Sequence, residues 1–234
     1  MSRLELSHLN SGLGEEMTNI DIYEAMSTQR AVRRLKPDPI PDVVLSRILQ
    51  AATWAPSGGN AQPWRVIVVK DDALRAKLGD LYRPQWKKYE AGARKRIEHL
   101  TDDALARQER ALDAAIHLGE HFGEAPVILV FCFNPDNMAI TDAGLNRPTV
   151  VGGGSVYPAV QNALLACRVE GVGCTLTTLL CFCEDEVKTL LDIPADWYTC
   201  AFVPIGFPVL GGYGPTHRRS VAKLAFVDTW GNAG

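Results

Sequence analysis

Apolar residues recur at helical spacing in two segments near the start of the chain. The first follows Asn19 and stops before the proline-rich stretch 36–41, and the second begins at Pro41 and ends before a glycine turn at 58–59. The apolar stripe of the second segment consists of Val44, Leu45, Ile48, Leu49 and Ala52. A stripe of this period is typical of an amphipathic helix that packs one face on a core. The pattern therefore predicts two helices, with Arg30, Arg33 and Arg34 at or just past the end of the first.

Short apolar runs predict buried strands at residues 64–70, 127–133 and 198–205. The valine-rich part of the first run suits an interior position in a sheet. Helical spacing predicts further helices at 155–170 and 184–191, and residues 71–124 are read as mostly helical and strongly charged, with Thr101 as an N-cap. The helix at 155–170 is apolar on most of its circumference, so it needs burial on two sides, which a domain core or a subunit interface can supply.

The length of 234 residues favours one compact domain. Residues 1–18 carry no sustained period and are interpreted as an N-terminal arm, which leaves residues 19–234 as a single domain. Neither internal repeats nor low-complexity segments interrupt it.

The charge balance argues against several classes of partner. The chain has 24 basic and 27 acidic residues, a formal charge of −3, and no basic tail, so nucleic acid is not an expected partner. The longest purely apolar run, 127–133, is far shorter than the roughly 20 residues that span a bilayer, so no membrane partner is expected either. The first eighteen residues lack the order of a signal peptide, and we expect a cytoplasmic protein.

The cysteines and histidines do not form a recognisable metal motif. Cys132, Cys167 and Cys200 lie in apolar runs and are predicted to be reduced core thiols. His117 and His121 are four residues apart on one helix face, which could ligate a metal, but a solvated helix face is the favoured interpretation. No metal is expected.

Residues 56–64, Pro-Ser-Gly-Gly-Asn-Ala-Gln-Pro-Trp, place bare backbone and two side-chain amides between a helix and a strand. Gly58 and Gly59 let a ligand approach the main chain, and Asn60 and Gln62 each offer donors and an acceptor. The stretch predicts a cradle for a flat polar ligand, although the same residues also suit an ordinary tight turn. Arg30 and Arg33, together with the adjacent Arg218 and Arg219, would complete a site for a phosphorylated planar cofactor, because guanidinium groups bind phosphate bidentately. Taken alone, each arginine is more readily explained as a solvated surface charge or as a partner of a helix dipole.

Four motifs in order give the chain a specific family likeness over about residues 20–230. They lie at 29–35 (Gln-Arg-Ala-Val-Arg-Arg-Leu), 55–64, 171–178 (Gly-Val-Gly-Cys-Thr-Leu-Thr-Thr) and 204–208 (Pro-Ile-Gly-Phe-Pro). In these motifs the sequence resembles the nitroreductase family of FMN-dependent oxidoreductases. The resemblance implies an α+β fold with a mostly antiparallel central sheet flanked by helices. It also implies an intertwined homodimer with FMN at the subunit interface.

The resemblance also implies a role for each motif residue. Arg30, the backbone at Ala31, and Arg33 would hold the FMN phosphate and ribityl chain, and Arg218 or Arg219 would close on the phosphate. Residues of the cradle would meet the ring and the ribityl hydroxyls, either from the other subunit or within the same one: Pro56, Ser57, Asn60 and Gln62. Thr177 and Thr178 would approach the flavin face and its N5 edge. Gln29 and Ala31 depart from the arginine and serine common at these positions, so fewer contacts hold the phosphate end.

The implied activity is a ping-pong reaction in which NAD(P)H reduces FMN and a nitroaromatic or quinone-type acceptor reoxidises it. No side chain acts as a catalytic nucleophile. A helical lid of about residues 81–123 corresponds to the family's most variable region, and its aromatic residues could stack on a small aromatic substrate or simply pack: Tyr82, Trp86 and Tyr89. Its basic residues could attract an anion or the 2′-phosphate of NADPH, or stay solvated: Arg83, Lys87, Lys88, Arg94, Lys95 and Arg96.

Two alternatives stay open from the sequence. A specialised relative would dehalogenate a halophenol reductively or consume flavin itself. For a halotyrosine, the lid would need a carboxylate, a hydroxyl and an amine, and Glu90, Tyr89 and Lys88 are present without the expected spacing. A protein of another class would sequester flavin without turnover.

Overall fold

The chain alternates helices with the strands of one sheet. The computed structural model describes residues 20–232, so the predicted N-terminal arm lies outside the described residues. The helices are α1 (Ile22–Thr28), α2 (Asp42–Thr53), α3 (Asp72–Ile97), α4 (Asp102–His121), α5 (Tyr157–Val169) and α6 (Glu184–Leu190). The strands are β1 (Trp64–Val69), β2 (Val127–Phe133), β3 (Gly173–Cys174) and β4 (Tyr198–Gly206). Each predicted helix and strand is found within a few residues of its expected bounds.

The sheet is antiparallel throughout, in the order β1-β2-β4-β3. Val66 of β1 stands opposite Phe131 of β2, and Leu129 of β2 stands opposite Val203 of β4. The α+β class and the antiparallel sheet are therefore confirmed.

The predicted interior position of β1 is wrong, because β1 lies at an edge of this sheet. Its valine-rich run has another cause. Val66 and Val68 pack on the core of one face of the sheet, while Ile67 and Val69 pack on the core of the other. Coverage of both faces, rather than hydrogen bonding along both edges, explains the continuous apolar run.

Helices cover both faces of the sheet and form two cores. On one face, Ile48 of α2 and Leu164 of α5 pack with Leu129 of β2. On the other face, Leu78 of α3 and Phe122 pack with Ile128 of β2. Alternate residues of β2 thus enter opposite cores, as the two-residue period of a strand requires. The sheet lies between two helical layers.

The segment after α1 is extended rather than helical. Asp21 is the N-cap of α1, and its carboxylate accepts a hydrogen bond from the Glu24 amide at 2.8 Å; the helix ends at Thr28. The Val32 amide then donates to the Cys174 carbonyl at 2.8 Å, and the Lys36 amide donates to the Phe207 carbonyl at 2.7 Å. The arginine motif is therefore tied to the sheet end at β3 and β4.

The lid region consists of the greater part of α3 followed by α4. Helix α3 starts at Asp72, ten residues before Tyr82, and contains Pro84. Thr101 is the N-cap of α4, as predicted, although its side chain makes no capping hydrogen bond. The first part of α3 packs on the core of the sheet, so the lid begins within a helix that is anchored in that core.

The cysteines within residues 20–232 are free, which agrees with the predicted reduced thiols. Cys132, Cys167, Cys174 and Cys183 are buried, and Cys181 is exposed. The described residues contain no group of three or more potential metal ligands and no helix long and apolar enough to cross a membrane.

Burial of Cys132 predicts a loss of stability at alkaline pH. Its surroundings raise the pKa of the thiol to about 12, first by desolvation and then through the nearby Glu184 carboxylate. Since the unfolded thiol ionises at lower pH, the stabilising contribution is complete below about pH 8.5 and is lost as the pH rises towards 12, by at most about 1.4 kcal/mol per pH unit. Urea unfolding at several pH values should show a shallower alkaline decline for Cys132→Val than for the wild type, and equal declines would contradict the assignment.

Candidate active site

The arginine motif lies beside the C-terminal segment. Arg30 donates from Nε to the Gly212 carbonyl at 2.9 Å, and the Thr216 amide donates to the Ser27 carbonyl at 3.0 Å. Arg218 follows two residues later and is exposed, as are Arg219 and Arg30. The structure therefore brings the last turn of α1, Arg30 and the segment just before Arg218 to one surface.

Arg33 lines a cavity of about 580 Å³ between the lid helices and residues 175–179. Among residues 20–232, no carboxylate pairs with its guanidinium, and burial lowers its pKa from the usual value while nearby Tyr82 and Tyr89 oppose the shift. A partly desolvated cation without a counter-charge attracts an anionic ligand. Five more of the predicted site residues line the same cavity: Tyr82, Trp86, Tyr89, Thr177 and Thr178.

Thr177 is held by three different contacts. Its backbone exchanges two hydrogen bonds of 2.9 Å with Phe202 of β4. Its Oγ1 lies 3.2 Å from the Tyr82 hydroxyl, and the Leu179 amide donates to the same oxygen at 3.4 Å. Tyr82 in turn stacks on Phe122 with ring centroids 4.2 Å apart. The hydroxyl pair is thus positioned by the sheet and by the lid together.

Burial disfavours ionisation of the Tyr82 phenol. Desolvation raises its pKa above the usual value, and the hydrogen bond with Thr177 and the charge of Arg33 oppose the shift without cancelling it. At neutral pH, well below the ordinary pKa of a tyrosine, the Tyr82–Thr177 pair retains both hydroxyl protons. One proton can serve the internal hydrogen bond, which leaves the other for a ligand acceptor.

The lid aromatics are packed and line the cavity at the same time. Trp86 is 5% exposed, and its Nε1 has no hydrogen-bond partner within the described residues. Its indole lies against Gly119 of α4, where a Cβ would come within 2.7 Å of Nε1. Tyr89 lies 5.9 Å from Trp86 between ring centroids and is 45% exposed. Trp86 is therefore both a packed side chain and part of the cavity wall.

The cradle forms a separate surface. Gly59, Asn60 and Gln62 all have positive φ, at 59°, 56° and 47°. The Gln62 amide donates to Ser57 Oγ at 2.9 Å, and Gln62 Nε2 donates to Asn60 Oδ1 at 3.1 Å, so the two amide side chains partly satisfy each other. The exposed turn, with Pro56 at its start, is not part of the lining of the Arg33 cavity. The predicted site residues thus fall into three groups within one chain: the Arg33 cavity, the cradle, and the exposed surface of Arg30 and the C-terminal arginines.

Comparison with known proteins decides the family. The model of the nitroreductase family matches residues 26–207, well over half of the chain. The chain belongs to the nitroreductase family. The match includes the 29–35, 55–64 and 171–178 motifs, so the resemblance drawn from those motifs is confirmed.

Individual relatives agree with this family assignment. An NADH dehydrogenase of Thermus thermophilus is 31% identical over 88% of this chain and 95% of the relative. A 5,6-dimethylbenzimidazole synthase of Rhodospirillum rubrum is 33% identical over 77% of this chain and 78% of the relative. A crystal structure of oxidised iodotyrosine deiodinase, bound to FMN and 3-iodo-L-tyrosine, has a TM-score of 0.63 and 24% identity, covering 85% of this chain and 95% of that one.

Several cavity residues of this nitroreductase-family chain were not singled out from the sequence. Helix α4 contributes Gln108, Leu112, Ala115 and Leu118 to the lining. These positions recur every three or four residues, so they share one helix face. That period is a usable signal, although the many charged residues of the region obscure it.

The paired histidines remain outside any metal site of the described chain. The rings of His117 and His121 stack with centroids 4.3 Å apart, and His121 Nδ1 lies 2.8 Å from Glu124 Oε1. Partial burial and the neighbouring His121 lower the pKa of His117 from the usual value. The predicted shared helix face is confirmed, with His117 half-buried and His121 exposed.

Proposed function

We propose that this protein is an FMN-dependent oxidoreductase that takes a hydride from NAD(P)H and reduces a nitroaromatic or quinone-type acceptor. One observation carries the proposal: the unpaired Arg33 guanidinium and the Thr177–Thr178 segment share one cavity with lid aromatics. Membership of the nitroreductase family and the NADH dehydrogenase relative support the same activity.

The residues present fit FMN. The cofactor combines a phosphate, a hydroxylated chain and an apolar ring with polar edges. Arg30 and Arg33 would hold the phosphate and ribityl chain with Arg218 or Arg219, while Thr177 and Thr178 would meet the ring. When bound, FMN would supply reversible two-electron hydride chemistry, so no nucleophilic side chain is required.

The chain's own residues would position the ligands and exclude water. The Tyr82–Thr177 pair would present a hydroxyl donor to a polar ring edge, and burial raises the pKa of Tyr82 further above neutral pH. Trp86 and Leu112 would provide apolar surface beside the flavin ring. Electrostatic interactions in the partly desolvated cavity would be stronger than in water.

We also propose a homodimer in which the cradle of one subunit meets the Arg33 cavity of the other. The cradle lies apart from the cavity within one chain, yet both belong to family motifs. A second, mostly apolar cavity of about 510 Å³ lies between α2 and α5, and its lining includes Trp54, which is 74% exposed. Further exposed apolar side chains follow Ser220: Val221, Leu224, Phe226, Val227 and Trp230. Light scattering should give twice 25.6 kDa, whereas a monomer that binds FMN fully would contradict this arrangement.

The activity is tested by the visible spectrum of the purified holoprotein under anaerobic conditions. An FMN spectrum should bleach on addition of NADH or NADPH and return on addition of a nitroaromatic or a quinone. A protein that cannot be loaded with FMN would overturn the cofactor assignment. Bound FMN that stays yellow with both nucleotides would instead favour flavin sequestration without turnover.

The dimethylbenzimidazole synthase relative makes flavin consumption the second candidate. Aerobic incubation of the reduced holoprotein with excess reduced FMN would distinguish the two. Stoichiometric, irreversible loss of flavin with formation of a benzimidazole product would replace the reductase proposal. Quantitative recovery of FMN would retain it.

A halotyrosine dehalogenase receives no support from the lid. Both Arg94 Nε and Nη2 donate to Glu90 Oε1, at 2.9 and 2.5 Å, and Lys88 donates to Gln85 Oε1 at 3.4 Å. Of the three residues considered for a zwitterion clamp, only Tyr89 lines the cavity. Halide release from a halotyrosine should therefore be absent.

A further inference from the structure

The cavity of Arg33 carries positive charge without a balancing acid. Within the described chain its lining includes Arg33 and Arg96, no aspartate or glutamate, and mainly apolar or aromatic side chains otherwise. The proposed function assigns Arg33 to the cofactor. Arg96 is therefore a second positive charge in the cavity, and it is available to another ligand.

Arg96 differs from the other arginines of α3 in its contacts. Arg75 pairs with Asp72, Arg83 lies 3.2 Å from carboxylate oxygens of both Asp80 and Glu120, and Arg94 lies 2.5 Å from Glu90. The Arg96 guanidinium instead lies 4.8 Å from the ring centroid of Tyr89, and among residues 20–232 it has no carboxylate partner. A guanidinium over an aromatic ring is positioned while its edge donors stay available.

The wall beside Arg96 suits a flat apolar body. Tyr89, which Arg96 covers, is followed by Trp86 at 5.9 Å and then by the buried Tyr82 along the same helix. An aromatic ligand could pack on this wall while its anionic substituent meets Arg96.

We propose that Arg96 is a specificity-determining residue that selects aromatic electron acceptors bearing a carboxylate or a sulfonate. This inference rests on the proposed oxidoreductase function and names the substrate class of the same cavity. Because Arg96 is exposed while Arg33 lies deeper, the anionic substituent points outward and the reducible group enters first. Neutral acceptors still react, but they lack the contact with Arg96.

The test compares two acceptors of nearly the same shape, 4-nitrobenzoate and 4-nitrobenzamide. Both proteins are loaded with FMN, and the ratio of kcat/KM for the acid to kcat/KM for the amide is measured in each. This ratio is expected to be about fivefold lower in Arg96→Gln than in the wild type, which is the size expected for an exposed ion pair. The ratio should also fall with added salt in the wild type and lose that dependence in Arg96→Gln. Arg96→Lys should restore part of the preference.

Arg94→Gln provides the matched control, because Arg94 lies in the same last turn but pairs with Glu90 and is not part of the cavity lining. Its acid-to-amide ratio should equal that of the wild type. A ratio unchanged by Arg96→Gln, with the amide still reduced, would overturn the proposal. A change confined to the ratio of NADPH to NADH would overturn the acceptor assignment and place the 2′-phosphate at Arg96.

A binding measurement keeps the proposal testable without turnover. Calorimetric titration of the holoprotein with 4-chlorobenzoate and 4-chlorobenzamide should show about fivefold selective weakening of the acid in Arg96→Gln. If neither nitro compound is reduced while the binding preference holds, the oxidoreductase function fails and the anion site stands. Equal weakening of both ligands would reduce Arg96 to a structural role.

Discussion

Arg33→Gln is expected to weaken FMN binding by about tenfold to a hundredfold. A hydrogen bond to a charged group contributes about 1.5–3 kcal/mol, and glutamine preserves a polar side chain without the charge. Arg33 is partly buried and has no carboxylate partner within the described residues, so its loss should not reduce the stability of the apoprotein. FMN fluorescence during titration into apoprotein measures the dissociation constant, and thermal unfolding of the apoprotein measures the stability.

Arg34→Gln is the control for this substitution. Arg34 is adjacent and exposed, and it does not line the cavity. Its dissociation constant should stay within about twofold of the wild type, as expected for a solvated surface charge. Equal dissociation constants for Arg33→Gln and the wild type would remove Arg33 from the cofactor site, and a large loss of apoprotein stability would make its role structural.

Gly119→Ala is expected to destabilise the fold by about 1–3 kcal/mol, the usual cost of overpacking. The added methyl would overlap the indole of Trp86, which is held between α3 and α4. Relief requires the indole to move, so the lid side of the cavity should change as well. Urea unfolding measures the stability loss, and the dissociation constant of FMN reports whether the cavity has changed.

Gly92→Ala is the same substitution in the other lid helix. There the nearest atom to the added Cβ would be Arg96 Nη1 at 3.5 Å, an ordinary contact. Alanine should therefore stabilise α3 by about 0.5–1 kcal/mol through its higher helix propensity. If both variants changed stability in the same direction, close packing between Gly119 and Trp86 would not be the cause.

The sequence was most informative where a structure depends on local pattern. The seven apolar residues of β2 gave its bounds, and the stripe of α2 gave its buried face. The edge position of β1 was mispredicted because burial on two faces and pairing on two edges favour the same residues. The extended path after Thr28 depends on Cys174 and Phe207, which are more than 100 residues away, so no local period could show it.

The candidate site, like the fold, could be predicted where a motif is local and could not where it depends on packing. The family motifs predicted that Arg33, Thr177 and Thr178 would serve one ligand, and they share a cavity. The sequence analysis did not say which basic residue of the lid would bind a ligand. Helical spacing does separate two of them, because Arg94 has Glu90 four residues earlier, whereas Arg96 has no acidic residue three or four positions away in either direction. Its place in the cavity depended on how α3 packs.

The extended segment that carries the arginine motif affects the entropy of ligand binding. Val32 and Lys36 are already hydrogen-bonded to the sheet end, and the carbonyl of Arg34 accepts the Val209 amide at 3.1 Å. Ordering a free backbone residue costs about 1–2 kcal/mol, and here that cost is met during folding. An anion arriving at Arg33 would mainly restrict side-chain rotamers, so most of the attraction would be retained as affinity.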